Sequence, residues 1–188
     1  MTLTPINSGW IEVICGSMFS GKTEELIRRM RRAQIAKMST SIFKPKIDSR
    51  YSENHIVSHN KKKMKTYVID NPSDILKYEQ GAQVIGIDEA QFFDESLVDV
   101  SKLLASKGKR VIIAGLDTDY RGLPFGSMPG VMCEADYLDK LRAICIKCGN
   151  PASYTQRTTL ENSQILVGEL DKYEARCRNC FKTPENEV

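Results

Sequence analysis

The stretch Gly16-Ser17-Met18-Phe19-Ser20-Gly21-Lys22-Thr23 constrains what this chain can fold into more than any other. Its spacing, G-x-x-x-x-G-K-[ST], is that of a phosphate-binding loop. Glycines let the backbone curl so that successive N–H groups point at phosphate oxygens, the lysine reaches the β/γ-phosphates, and the hydroxyl helps hold Mg²⁺. Such a loop works between a strand and a helix, and both flanks fit. Trp10-Ile11-Glu12-Val13-Ile14-Cys15 reads as a buried strand, and a helix is predicted over about residues 22–37. On that helix Leu26, Ile27, Met30 and Ala33 share one face, while Arg28, Arg29, Arg31 and Arg32 occupy the complementary arc and read as solvated. Ser39-Thr40-Ser41-Ile42-Phe43, closed by Lys44-Pro45-Lys46, is a second strand, so the N-terminal portion predicts a βαβ unit.

That beginning predicts an α/β fold: a phosphate-loop (RecA-like), open, mostly parallel sheet flanked by helices. In such sheets the carboxyl ends of the strands line the ligand crevice. Asp48 and Arg50, just past the second strand, are therefore placed where charged groups can meet phosphates. Residues 52–70 are polar, with Ile56-Val57 and Tyr67-Val68-Ile69 as alternating stretches, and predict a hairpin-like excursion carrying His55 and His59 as solvated loop residues. Asn71-Pro72-Ser73-Asp74 reads as the start of a short helix. Ala82-Gln83-Val84-Ile85-Gly86-Ile87 is an apolar strand ending in Asp88-Glu89. In phosphate-loop proteins the strand beside the loop delivers an acid to Mg²⁺ at its carboxyl end. Asp88 fits that role, and Glu89 is left to accept a proton or orient a nucleophile; a helix N-terminus decorated with acids would show similar residues. A second amphipathic helix follows over 95–107, with Leu97, Val98, Leu103 and Leu104 among its apolar residues. Arg110-Val111-Ile112-Ile113-Ala114-Gly115 is another buried strand, and the aromatic and glycine-bearing loop over 116–126 can wall a ligand pocket.

The six cysteines divide by spacing. Cys15 and Cys133 stand alone and read as small buried hydrophobes. Cys145-x-x-Cys148 and Cys177-x-x-Cys180 form two knuckles, the pattern of a Zn²⁺ site in which four thiolates complete a tetrahedron and leave no position for water. Such an ion is structural rather than catalytic; a reversible disulfide is the alternative. The 28 residues between the knuckles predict an excursion stapled at its base. The chain accordingly divides into residues 1–140, a phosphate-loop nucleotide-binding domain, and 141–188, a small zinc-binding domain whose stapled excursion can order over a ligand.

Length and composition set outer limits. With 188 residues, 41% hydrophobic and 27% charged, the chain has room for one ordinary domain and a small appendage. No apolar run approaches the roughly 20 residues that span a bilayer, and Met1-Thr2-Leu3-Thr4-Pro5 lacks the regions of a signal peptide. Both predict a cytoplasmic protein with no membrane partner. A net charge of +3 is too small to imply a nucleic-acid partner, and Lys61-Lys62-Lys63-Met64-Lys65 reads as a charged loop.

Taken together, the phosphate loop, Lys46-Ile47-Asp48-Ser49-Arg50-Tyr51, Asp88-Glu89-Ala90-Gln91-Phe92-Phe93 and the four-cysteine tail resemble the cytosolic (type II) thymidine kinases. Order and separations match over nearly the whole chain, and Pro124-Phe125-Gly126 and Lys172-Tyr173 add to the match. The resemblance implies transfer of the γ-phosphoryl of ATP to the 5′-hydroxyl of thymidine, giving dTMP and ADP. On the family pattern Gly16, Ser17, Met18, Phe19, Ser20, Gly21 and Lys22 hold the triphosphate, Thr23 and Asp88 place Mg²⁺ directly or through water, and Asp48 stands near the phosphates. Glu89 is the general base, with Arg50 and Lys22 as the charged catalytic groups. Thymidine maps onto Met18, Phe92, Leu116, Tyr120, Phe125, Thr155 and Tyr173, and backbone groups of Leu166, Val167 and Gly168 read the base edge. Tyr120 stands where the family often carries phenylalanine, and Ser17 where many members carry proline. The family is typically a homotetramer inhibited by dTTP, and the stretch between its knuckles closes over thymidine.

Two other readings fit part of the pattern. Asp88-Glu89-Ala90-Gln91 also looks like a helicase acidic box, but helicase cores couple two such folds, and 188 residues at roughly 100–200 per domain leave no room for the second. A nucleotide-dependent switch or zinc adaptor would bind ATP or GTP without needing Glu89 beside the metal acid.

Overall fold

A computed structural model describes residues 8–47, 66–79, 81–159 and 172–183. Six strands form the main sheet: β1 (Trp10–Gly16), β2 (Thr40–Pro45), β3 (Thr66–Ile69), β4 (Val84–Ile87), β5 (Arg110–Gly115) and β6 (Tyr137–Leu141). Their order is β3-β2-β4-β5-β1-β6, and every pairing is parallel. Parallel strands need covering on both faces. The helix α1 (Lys22–Ile35) covers one face, and α2 (Ile75–Tyr78), α3 (Ser96–Ser106) and α4 (Met128–Cys133) belong to the other.

Side-chain alternation along the strands divides the core accordingly. Ile14, Ile42, Val84, Ile112 and Ala114 meet Leu26, Met30 and Ala33 of α1. Val13, Phe43, Ile85, Ile87, Val111 and Ile113 turn the opposite way, toward Leu97, Val100 and Leu104 of α3. Each fully buried aliphatic side chain contributes roughly 1.5–3 kcal/mol, so the central strands carry most of the fold's apolar stabilisation. Among the described residues no helix is long and apolar enough to cross a membrane.

Several sequence expectations change in detail. The stretch around Tyr67 joins β2 as a parallel edge strand rather than standing as part of a hairpin, and His55 and His59 lie outside the described residues. Leu103 points to solvent while Val100 and Ser101 are buried, because the apolar stripe of α3 is rotated toward β1 and β5. Cys15 is buried as expected, with burial raising its thiol to about 11, but Cys133 is exposed at the end of α4. Arg29 is not a solvated arginine. It reaches the buried carboxylate of Glu12 on β1 (2.7 Å), Glu25 (2.8 Å) and Asp139 on β6 (2.6 Å). Glu12 also accepts from Arg110 (2.6 Å) and Trp10 Nε1 (2.7 Å). Burial works to raise the Glu12 pKa, but the hydrogen bonds from Arg110, Trp10 and Arg29 prevail and hold its carboxyl below the ordinary range.

Beyond β6 lies a module of two antiparallel pairs. β7 (Ala143–Ile144) pairs with β8 (Pro151–Ala152), and β9 (Tyr154–Arg157) pairs with β10 (Tyr173–Arg176). Its buried apolar cluster consists of Ala143, Cys145, Ala152, Ala175 and Cys177, three alanines and two metal-type cysteines.

Candidate active site

The phosphate loop begins where β1 ends. Gly16 (φ 139°) and Gly21 (φ 84°) take backbone angles open mainly to glycine, and between them Phe19 also sits at positive φ (64°). The resulting curl delivers the chain into α1, which opens with Lys22, Thr23 and the acidic Glu24 and Glu25 in its first turn. Lys22 lies across the loop, Nζ donating to the Ser17 carbonyl at 2.7 Å, and Ser20 Oγ donates to the same oxygen at 2.8 Å. Burial pulls the Lys22 ammonium pKa down, against the charges of Glu89, Asp88 and Asp117, which raise it. Three carboxylates therefore act on one lysine at this end of the sheet.

The acid pair comes from β4, which is separated from β1 by β5 rather than lying beside it. The two meet because α1 crosses the sheet: Thr23 Oγ1 donates to the Asp88 carboxylate at 3.1 and 3.3 Å. Asp88 is buried, and burial followed by the neighbouring Glu89 charge pushes its pKa up to about 7. A buried acid held up in this way, with a hydroxyl on it, is a donor set suited to a hard divalent cation. Glu89 occupies the left-handed region (φ 51°), a costly conformation for a residue with a side chain. Its N–H donates to Asp88 Oδ1 (3.0 Å) and its Oε2 accepts from Gln91 Nε2 (2.6 Å).

The expected acceptor-side residues fall into four contacts. The Met18 N–H donates to Thr155 Oγ1 on β9 at 3.0 Å, joining the phosphate loop to the cysteine module. Phe92 and Phe125 meet edge to face at 5.7 Å. Leu116, at the end of β5, donates its N–H to Gln91 Oε1 at 2.9 Å. Tyr120 and Tyr173 are bridged by Arg157, whose guanidinium lies 3.6 Å over the Tyr120 ring and donates to the Tyr173 hydroxyl at 2.7 Å. Arg157 and Gln91 were not singled out from sequence, and neither was Asp117, buried beside Leu116 and paired with Lys140 at 2.5 Å. For Gln91 the signal was its place two residues after Glu89; Arg157 offered none. Asp48, Arg50, Leu166, Val167 and Gly168 lie outside the described residues.

Cys145, Cys148, Cys177 and Cys180 converge so that their Sγ atoms all lie within 4.8 Å of one another. Cys148 is 3.5 Å from Cys177 and 3.6 Å from Cys180. A tetrahedron with metal–sulfur distances of about 2.3 Å has edges of roughly 3.8 Å, so the cluster fits Zn²⁺. A sulfur–sulfur bond of about 2 Å is not the arrangement seen.

Comparison with known proteins agrees with this geometry. A family model described as thymidine kinase matches residues 9–181. The chain is 56% identical over 176 residues to a thymidine kinase of Rhodothermus sp. (strain ITI 518), covering 94% of this chain and 83% of the relative. It is 54% identical over 174 residues to one from Bacteroides fragilis, covering 93% and 87%. A thymidine kinase of Porphyromonas gingivalis is 52% identical over 177 residues, covering 94% and 87%. A phosphate loop facing an acid pair, a four-cysteine cluster pinned to that loop, and a family match spanning nearly all the described residues together place this chain in the thymidine kinase family.

Proposed function

We propose that this chain transfers the γ-phosphoryl group of ATP to the 5′-hydroxyl of thymidine, with the parts described above in distinct roles. The observation that carries the reading is the hydrogen bond from Thr23 Oγ1 to the Asp88 carboxylate at 3.1 and 3.3 Å at the mouth of the phosphate loop, with Glu89 the next residue along the chain. Phosphoryl transfer asks little covalent chemistry of a protein; positioning and charge neutralisation supply most of the acceleration. The N–H groups from Gly16 to Thr23 and the Lys22 ammonium bind the triphosphate. Thr23 and Asp88 hold Mg²⁺, directly or through water, and that ion supplies neutralising charge on the phosphates when bound. Asp88 is costly to ionise where it is buried, and a divalent cation held there would offset that cost.

Glu89 takes the proton of the 5′-hydroxyl as the O–P bond forms, and the leaving oxygen departs with ADP. Arg50 offsets charge on the transferring group, with Asp48 near it. Met18, Phe92, Leu116, Tyr120, Phe125, Thr155 and Tyr173 form the thymidine slot, and the backbone of Leu166, Val167 and Gly168 reads the base edge. Zn²⁺ on the four cysteines fastens residues 141–188 as a unit distinct from the ATP-binding residues 1–140. The protein works in the cytoplasm as a homotetramer and is inhibited by dTTP. The direct test replaces Glu89 by Gln and measures labelled-phosphate transfer from ATP to thymidine. Turnover is expected to fall by at least ~10²-fold with binding of a non-hydrolysable ATP analogue unchanged. Unaltered turnover removes Glu89 from the chemistry.

A further inference from the structure

Gln91 is 2% exposed, and both ends of its carboxamide are engaged. Oε1 accepts the Leu116 N–H at 2.9 Å and Nε2 donates to Glu89 Oε2 at 2.6 Å. These bonds are not interchangeable. A backbone N–H can only donate, so it fixes which end of the amide is oxygen and turns the NH₂ group toward Glu89. The surroundings are shaped to the same end. A Cβ on Gly115 would come within 2.9 Å of Gln91 Oε1, and one on Gly126 within 2.1 Å of the Gln91 carbonyl oxygen. Two glycines, one ending β5 and one in the following loop, thus leave the room that Gln91 occupies.

We propose that Gln91 is a positioning residue for the phosphoryl-transfer step: it orients the Glu89 carboxylate and ties it to the Leu116 wall of the thymidine slot. The inference rests on the assignment of Glu89 as base. The tie to Leu116 gives the base a fixed relation to the nucleoside rather than to the phosphates alone, because β5 and the loop after it carry Leu116, Tyr120 and Phe125. Left-handed backbone at Glu89 aims the side chain, and Gln91 holds it there.

The test uses the full zinc-loaded chain with ATP and thymidine, comparing Gln91→Met, Gln91→Glu and Glu89→Gln. Gln91→Met keeps the bulk and removes both hydrogen bonds. Its kcat is expected to fall by ~10-fold with the KM for ATP within about twofold. Gln91→Glu preserves an acceptor for Leu116 and sets a second carboxyl against the first. With no donor left for Glu89, its kcat is expected to fall by at least ~10-fold, again with the KM for ATP within about twofold. Parent-like kcat in Gln91→Met and Gln91→Glu, or a KM for ATP that rises along with the fall in kcat, with Glu89→Gln still impaired, overturns the role of Gln91 alone. A fully active Glu89→Gln overturns the base assignment and this inference with it.

Discussion

The phosphate-loop end of the sheet and the four-cysteine module meet at one seam yet are held together by different means. The first rests on two apolar layers built from whole strands, with side chains such as Ile14, Phe43, Ile87 and Ile113 fully buried. The second has a core of three alanines and two cysteines, far too little apolar surface to offset the entropy of ordering its residues. What it lacks in burial a metal can supply, since ligand binding to a folded but not an unfolded site is folding free energy. Across the seam run the Met18 N–H to Thr155 (3.0 Å) and the Ser17 hydroxyl to the Ala152 carbonyl (3.5 Å). On the proposed roles, the ATP side is prebuilt by packing, and the part of the thymidine slot carried by β9 and β10 is held by a metal and fastened to it.

The contrast can be broken from the sheet side most forcefully. Glu12 is 6% exposed, with two arginines and an indole directed at it, and Glu12→Gln leaves the Arg29 and Arg110 charges without their buried counter-charge. We expect a loss of ~3–5 kcal/mol by urea denaturation, with zinc content of the folded protein unchanged. The pH dependence has a definite sign. Because the Glu12 pKa is depressed, its stabilisation is present above the ordinary carboxylate range and is lost as pH falls through the lowered value.

Asp88 works in the opposite direction. Its raised pKa means that the fold binds the proton more tightly than the unfolded chain does, so its contribution is fully present near pH 4 and is lost as pH rises through about 7. Asp88→Asn is expected to raise the melting temperature of the ligand-free protein by ~3–6 °C at pH 8, with the gain fading toward pH 4. The same variant should lose the stabilisation conferred by MgATP. A melting series over pH checks both.

The seam itself gives the smallest effect. Thr155→Val keeps the shape and strands the Met18 N–H, a loss of about 1–2 kcal/mol. Steady-state kinetics should show the KM for thymidine rising ~3–10-fold while that for ATP stays within twofold. Equal shifts for both substrates would mean that the two regions are not separable at this bond.

The sequence disclosed what is local and left obscure what depends on distant partners. The phosphate loop, the apolar run ending at Asp88-Glu89 and the paired cysteines each carry their chemistry within a few residues, and the structure brings the expected groups together. Helical periodicity assigned Arg29 to solvent because it weighs only neighbours on α1; Glu12 and Asp139 come from two strands. Strand β6 shows no apolar run, since Leu138, Asp139 and Lys140 are exposed at the sheet edge, so pairing with β1 and not side-chain pattern defines it. Arg157 sits in an unremarkable polar stretch, and its place between Tyr120 and Tyr173 exists only once β9 and β10 have paired.

The most direct test of the division between halves is calorimetric titration of the chain before and after removal of zinc by a chelator. A non-hydrolysable ATP analogue with Mg²⁺ is expected to bind the zinc-free protein within ~3-fold of its original affinity, while thymidine binding weakens by ~10-fold or more and returns when zinc is restored. Thymidine affinity that survives zinc removal, or ATP-analogue affinity that falls with it, would contradict a packed donor half and a metal-assembled acceptor half.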